Sequence, residues 1–195
     1  MLATYTLPKP RFAVLLNAHA GGVNPRLTRS LQEVAPRDSV FLTESKEHAR
    51  DVLEYIVKRD VQTVFAGGGD GTVVDVINTL SDLRERSNRL PWVGVLKLGT
   101  GNALAHWLGS GSPVHDLLQW SSGMMHRTLP VHMVHAEGTL FPFAGLGHDA
   151  AILNDYMALK QRAQGTWWSS LVHGLPGYLL AGYLKTVPNY IRRPP

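Results

Sequence analysis

One run of seven residues limits what this chain can fold into. Ala66-Gly67-Gly68-Gly69-Asp70-Gly71-Thr72 follows the β-branched apolar stretch Val61-Gln62-Thr63-Val64-Phe65. It precedes a segment in which Val73, Val76, Ile77 and Leu80 recur at helical spacing. Strand, glycine-rich turn and helix start, in that order, make a cradle for phosphate. Glycine lets the backbone approach a ligand closely, and the open N–H groups of the turn and of the helix N-terminus point at an anion. Asp70 is unusual there, because a carboxylate beside phosphate repels it unless a cation or a transferable proton lies between. A Mg2+–nucleotide or a substrate hydroxyl would justify it. An Asp-Gly hairpin turn is the simpler alternative, but the residues after Thr72 keep a helical period.

The chain before and after this run repeats the same grammar. Phe12 to Leu16 is a continuous apolar run, as expected of a strand covered on both faces. It ends in the small-residue turn Asn17-Ala18-His19-Ala20-Gly21-Gly22. Pro25 to Val34 reads as a helix with proline near its start, and Ser39 to Thr43 as a short strand. Ser45 and His48 bracket the first turn of a helix whose apolar face is Ala49, Val52, Leu53, Ile56 and Val57. After a polar loop from Ser81 to Arg89, Trp92 to Leu96 is a fourth strand. It feeds the turn Gly99-Thr100-Gly101-Asn102 and a helix through Ala103, Leu104 and Trp107. Alternating strands and helices predict a parallel α/β sheet, with ligands beyond the carboxyl ends of its strands. Turns at Asn17, Gly67 and Gly99 then lie on one edge, which points to a shared nucleotide.

Beyond about Gly123 the pattern changes. Arg127 to Ala136 alternates, Glu137-Gly138 is a turn, and Leu140 to Ala144 is a returning strand. The expected division is an α/β nucleotide domain over residues 1–123 and part of a mainly antiparallel second domain over 124–195. In the latter, Ala150 to Ala163 is helical, Asp149 is its N-cap, and Trp168 to Tyr183 is a helix broken near Pro176. At 195 residues there is room for one domain and part of another; 44% hydrophobic against 17% charged residues excludes a disordered chain. With no cysteine, disulfides, thiolate catalysis and cysteine-bound metals are excluded. A net charge of +4 suits an anionic ligand or a membrane surface, and solubility alone would also explain it. The first residues lack the basic and apolar regions of a signal peptide, so the expected location is cytoplasmic. Trp167 to Leu184 approaches the length of a membrane span, but His173, Pro176 and its glycines and serines argue against one.

Taken together, Gly68-Gly69-Asp70-Gly71-Thr72, Leu98-Gly99-Thr100-Gly101-Asn102 with Ala105, Asn17 with Gly21-Gly22, Thr43-Glu44 before His48-Ala49, and Gly147-His148-Asp149-Ala150 resemble the diacylglycerol kinase catalytic-domain family of bacterial lipid kinases, sphingosine kinases and ceramide kinases. The likeness runs from about Phe12 onward and is to an N-terminal portion of such enzymes. It implies an α/β nucleotide domain beside a β-sandwich-like lipid domain, and transfer of the γ-phosphoryl group of ATP, with Mg2+, to a lipid hydroxyl. By position, Asn17, Ala18, His19, Ala20 and Gly21 with Ala66, Gly67, Gly68, Gly69, Asp70, Gly71 and Thr72 would hold the phosphates. Thr43, Thr100 and Gly101 would lie at the nucleotide, Asn102 would brace its turn, and Asp70 is the catalytic candidate. No residue is assigned to a metal. Peripheral, transient contact with a membrane surface is implied as well, and a homodimer is left open. The chain departs from the family at Lys97, where proline is frequent, at Ala103, where aspartate is frequent, and at Ala18, where proline is usual.

Other candidates are weaker. His132 and His135 fall on opposite faces of an extended segment, against a metal site. His19 sits in a proposed phosphate turn, and His148-Asp149 has no nucleophile motif beside it. Trp167, Trp168, Leu171, Val172, Leu179 and Leu180 suit core packing better than a lipid surface. Lys185, Arg192 and Arg193 are too few for nucleic acid. The alternatives to a lipid kinase are an enzyme similar to NAD kinase, which shares the glycine-aspartate turn, and a non-catalytic nucleotide-binding module.

Overall fold

A continuous apolar run with a partner on each side becomes the centre of a sheet, and that is the position of Phe12–Asn17 (β1). The computed structural model describes residues 11–84, 89–123, 128–145, 147–163 and 174–188. Val40–Thr43 (β2), Thr63–Gly68 (β3) and Trp92–Lys97 (β4) complete a parallel sheet in the order β2-β1-β3-β4. Both faces are covered. Ala13, Leu15, Val64, Ala66 and Val95 pack against Lys46–Lys58 (α2) and Asp70–Leu83 (α3) through Leu53, Ile56, Val73, Val76 and Leu80. Phe12, Val14, Leu16, Phe65 and Leu96 face the other way, with Leu31 of Pro25–Val34 (α1) and Leu117 of Pro113–Ser121 (α5). Burying each valine, leucine, isoleucine or phenylalanine among them is worth about 1.5–3 kcal/mol, so the alternation along β1 and β3 fixes their register.

Local signals set the helix starts. Asn24 accepts the Leu27 N–H at 2.9 Å ahead of Pro25, and Ser45 Oγ accepts the His48 N–H at 3.1 Å. Two expected boundaries move. Strand β3 does not stop at Phe65 but carries Ala66, Gly67 and Gly68, all buried, because they pair with Leu15 and Leu16 on one side and with Val95, Leu96 and Lys97 on the other. Helix α3 continues past Ser81 to Leu83, whose buried side chain extends the face of Val76 and Leu80. Ala103–Trp107 (α4) is short, and α5 is a helix that the sequence pattern does not predict.

Val134–Ala136 (β5) and Thr139–Phe141 (β6) form a hairpin closed by Glu137 and Gly138, both at positive φ (50° and 75°). The returning strand is shorter than expected: it ends at Phe141, before Pro142. Two compact units divide at Pro142 and Phe143, so the hairpin belongs with the parallel sheet, beyond the change of pattern at residue 123. The second unit contains His148–Ala163 (α6), Gly174–Ala181 (α7) and one π-helical turn, Gly182–Thr186. Asp149 lies inside the first turn of α6, not ahead of it, and Pro176 falls in the first turn of α7, where a helix tolerates it. Asp155 joins α6 to the π-helical turn, accepting from Lys185 Nζ at 2.6 Å and Thr186 Oγ1 at 2.7 Å. Trp167, Trp168, Leu171 and Val172 lie outside the described residues, while Leu179 and Leu180, expected in a core, are exposed. Among the described residues, no helix is long and apolar enough to cross a membrane.

Candidate functional site

In a sheet ordered β2-β1-β3-β4 the chain runs outward from β1 in one direction to β2 and in the other to β3, so the crevice beyond β1 and β3 is the topological switch point. Asn17 ends β1 there. Its Nδ2 donates to Thr72 Oγ1 at 3.0 Å and its Oδ1 accepts the His19 N–H at 2.9 Å, which ties the turn after β1 to the first turn of α3. His19 Nε2 stands 3.0 Å from the Glu44 carbonyl oxygen, so this ring nitrogen carries the proton and donates. Thr43 is buried and donates to the Leu16 carbonyl at 3.1 Å, while the Ala18 N–H donates to the Thr43 carbonyl at 2.9 Å. These groups border a cavity of about 260 Å3, with Asn17, His19, Thr43, Lys46, Thr72 and Asp75 on its wall. Lys46 Nζ spans to Asp75 Oδ1 at 2.9 Å, and that hydrogen bond holds the ammonium above the usual lysine range.

A second cluster joins the turns after β3 and β4. Gly69 caps α3 and has no side chain to occupy the first-turn N–H groups; the Thr72 N–H donates to the Gly69 carbonyl at 3.0 Å, and those of Asp70 and Gly71 are left uncapped by any side chain. Asp70, in that first turn, turns its carboxylate to α4: Oδ2 accepts the Ala103 N–H and Oδ1 the Leu104 N–H, each at 3.1 Å. Asn102, buried and left-handed (φ 54°), accepts the Gly99 N–H at 2.7 Å and donates back to the Gly99 carbonyl. The turns touch so closely that a Cβ on Gly99 would stand 2.2 Å from Gly69 Cα. The turn after β1 joins them through the Gly22 N–H, which donates to the Leu98 carbonyl at 3.0 Å; the Leu98 N–H in turn donates to the Gly68 carbonyl at 3.2 Å.

The expected site residues therefore separate into groups. Asn17, His19, Thr43 and Thr72 share the cavity wall, and Gly69, Asp70, Gly101 and Asn102 form the second cluster, where a Cβ on Gly101 would meet Asp70 Oδ2 at 3.1 Å. Thr100 and Gly21 are exposed in their turns, and Ala18 and Ala20 are partly buried. Ala66, Gly67 and Gly68 are strand residues: Ala66 belongs to the core, and a Cβ on Gly67 would collide with Leu16 at 2.5 Å. Asp70 spends one lone pair of each oxygen on α4 and retains the others. The sequence reading missed Lys46 and Asp75. Asp75 follows Thr72 by three residues, so it shares that helix face, and this spacing was the available signal. Lys97, read as solvated, stands 3.5 Å from His106 Nδ1.

The diacylglycerol kinase catalytic domain model matches residues 11–136. The chain belongs to this family. A protein of Enterobacter sp. (strain 638) named "Probable lipid kinase YegS-like" is 28% identical over 177 residues, 89% of this chain and 56% of that protein. Its namesake in Yersinia pestis (strain Pestoides F) is 34% identical over 171 residues, 85% of this chain and 56% of that one. The chain thus spans about half the length of the curated relatives it matches. In three dimensions the diacylglycerol kinase catalytic fold is matched by a diacylglycerol kinase from Bacillus anthracis str. Sterne, with a TM-score of 0.55 and 20% identity, over 70% of this chain and 47% of that one. Members of the family are kinases, and the turns just described lie inside the matched region.

Proposed function

We propose that this chain binds ATP at the joined turns, as the nucleotide half of a lipid kinase that moves the γ-phosphoryl group to the hydroxyl of a diacylglycerol- or sphingoid-type lipid. One observation carries the reading: turns from β1, β3 and β4 are hydrogen-bonded to one another at the switch point of the sheet, in a chain of the diacylglycerol kinase family. ATP with Mg2+ supplies the phosphoryl group and its charge neutralisation. The chain supplies position. The Asp70 and Gly71 N–H groups of the first turn of α3 would meet the phosphates, and Asn17 holds Thr72 beside them. Room for that approach exists at Gly21 and Gly71, where an added Cβ would meet nothing within 4 Å. No residue of the chain is assigned to Mg2+, which would arrive with the nucleotide and neutralise phosphate charge. In this reading Asp70 keeps the two turns together, and its remaining lone pairs are free for the acceptor's proton. The lipid is met peripherally at a membrane surface, a reading supported by exposed Leu179, Tyr183 and Leu184 in the second unit.

The test is a calorimetric titration of MgATP against wild type, Gly69→Val and Asp70→Asn, followed by transfer of labelled phosphate to diacylglycerol in mixed micelles. Wild type binds saturably and Gly69→Val does not. Asp70→Asn loses a charge-assisted acceptor, worth about 1.5–3 kcal/mol, and with it phosphoryl transfer. A wild-type chain that melts cooperatively but takes up no MgATP refutes the reading. Binding without transfer leaves a nucleotide-binding module.

A further inference from the structure

Helix α3 starts at the phosphate turn and carries a second polar junction two turns further on, about 12 Å along its axis. Asn78 Nδ2 donates to the Leu140 carbonyl at 2.9 Å, and Asn78 Oδ1 accepts the Leu140 N–H at 2.8 Å. The same Nδ2 donates to the Val74 carbonyl at 2.8 Å, which fixes the carboxamide on its own helix. Leu140 stands opposite His135 in the hairpin. Its main-chain groups turn away from β5, as they do at every second pair of an antiparallel ladder. They would form an open strand edge, and the carboxamide of Asn78 presents one donor and one acceptor to them as a neighbouring peptide would.

Among the described residues the hairpin has little sheet of its own to hold it. Its strands are three residues long, and an isolated two-stranded sheet is marginal in water. Beneath Leu140 the packing is open, with a cavity of about 260 Å3 bordered by Ile77, Leu80, Leu90 and Val93. Leu140 also lies two residues before Pro142, where the first compact unit ends. The bond from Asn78 therefore sets the point from which the chain departs for the second unit.

We propose that Asn78 is a positioning residue that locks the β5–β6 hairpin to the phosphate-turn helix, so that nucleotide at the start of α3 steadies the segment leading into the second unit. The coupling to nucleotide rests on the function proposed above; the lock does not. The experiment is amide hydrogen exchange at Leu140 by NMR, with and without saturating MgATP, in wild type, Asn78→Ala and Asn78→Asp. In wild type the Leu140 amide is protected and MgATP slows its exchange further. Asn78→Ala removes the acceptor of the Leu140 N–H and speeds exchange by up to about tenfold. Asn78→Asp keeps an acceptor but sets a carboxylate oxygen against the Leu140 carbonyl, which loosens the hairpin and speeds exchange as well. Both abolish the MgATP response. MgATP affinity falls by no more than the factor by which MgATP slows exchange in wild type, because the coupling is reciprocal. An asparagine of purely structural importance would lower the melting temperature and leave the MgATP response in place. Exchange in Asn78→Ala as slow as in wild type overturns the lock, and a wild-type Leu140 amide indifferent to bound MgATP overturns the coupling without needing any variant. A wild type that binds no MgATP refutes the nucleotide reading and the coupling with it, and exchange in Asn78→Ala then decides the lock alone.

Discussion

Replacing Gly99 by alanine sets one methyl group where the two turns meet. The new Cβ would lie 2.2 Å from Gly69 Cα, 2.8 Å from Gly69 N and 3.2 Å from Asn102 Oδ1. Carbon atoms at rest sit about 3.5–4.0 Å apart, so the turns must separate by more than about 1 Å. The two nearest atoms are backbone, with no rotamer to yield. The Asp70 bonds to the Ala103 and Leu104 N–H groups are already 3.1 Å long, and such a separation takes them out of hydrogen-bonding range. Overpacking costs about 1–3 kcal/mol, and each lost bond to a charged group about 1.5–3 kcal/mol. Since about 1.4 kcal/mol is tenfold in affinity, MgATP should bind at least about tenfold more weakly to Gly99→Ala. A loss of 1–3 kcal/mol should also lower the melting temperature by a few degrees, at about 2–4 °C per kcal/mol for a chain of this size. Titration calorimetry beside a thermal melt reads both. Gly71→Ala is the control, because its Cβ meets nothing within 4 Å. It should keep or raise the melting temperature, with a gain of up to about 1 kcal/mol, yet weaken MgATP by filling the approach. Gly99→Ala with wild-type melting and wild-type affinity would refute the claim that contact between the turns builds the site.

Two further outcomes follow from the charges. Lys46 and Asp75 are paired but solvated, so Lys46→Met should change stability by less than about 1 kcal/mol while weakening MgATP at low salt; an unchanged affinity on titration would remove Lys46 from the site. Burial pushes the Asp116 carboxyl above its ordinary value, against the opposing pull of the Gly111 N–H. An acid raised in this way favours the fold while protonated, so its contribution is present below the ordinary carboxylate pKa of about 3.9 and is lost as pH rises through the raised value. Asp116→Asn should therefore gain on wild type in urea melts at neutral pH and not below about pH 3.5, and the reverse order would contradict the burial argument.

The parallel sheet was legible because β1 and β3 are buried on both faces and so read as unbroken apolar runs, and because Asn24-Pro25 and Ser45 with His48 announce helices chemically. What escaped depends on neighbours. Gly67 and Gly68 carry no apolar side chain, yet β1 and β4 hold Gly67 extended from both sides, so the strand outruns its hydrophobic signal. Ser81 and Asp82 look like a loop, but Leu83 completes the buried stripe of Leu80 and keeps the helix going. Helix α5 has a weaker signal, Ser112-Pro113 and the spacing to Leu117 and Trp120, and its short apolar face shows only once it packs on the sheet. The Asp70–Leu104 and Asn78–Leu140 pairings are 34 and 62 residues apart in sequence and follow only from the completed topology.

The position of Asp70 drew attention because a carboxylate does not belong beside phosphate without something positive between them. Part of the answer lies inside the protein. The start of α3 leaves the Asp70 and Gly71 N–H groups uncapped by any side chain, while the start of α4 offers the Ala103 and Leu104 N–H groups to Asp70. The two helix N-termini thus divide the work: α4 takes the carboxylate, and in the function proposed above α3 is left for the phosphates. Asn102 makes this division possible, since its left-handed backbone and its two bonds to Gly99 bring the start of α4 within reach of Asp70. Ala103 fits the same scheme, because the position next to Asp70 contributes an N–H there and adds no second carboxylate. An aspartate that seemed to require a cation is held by a neighbouring helix, and that is why the turn after β4 is as much a part of the candidate site as the glycine run from which the fold was read.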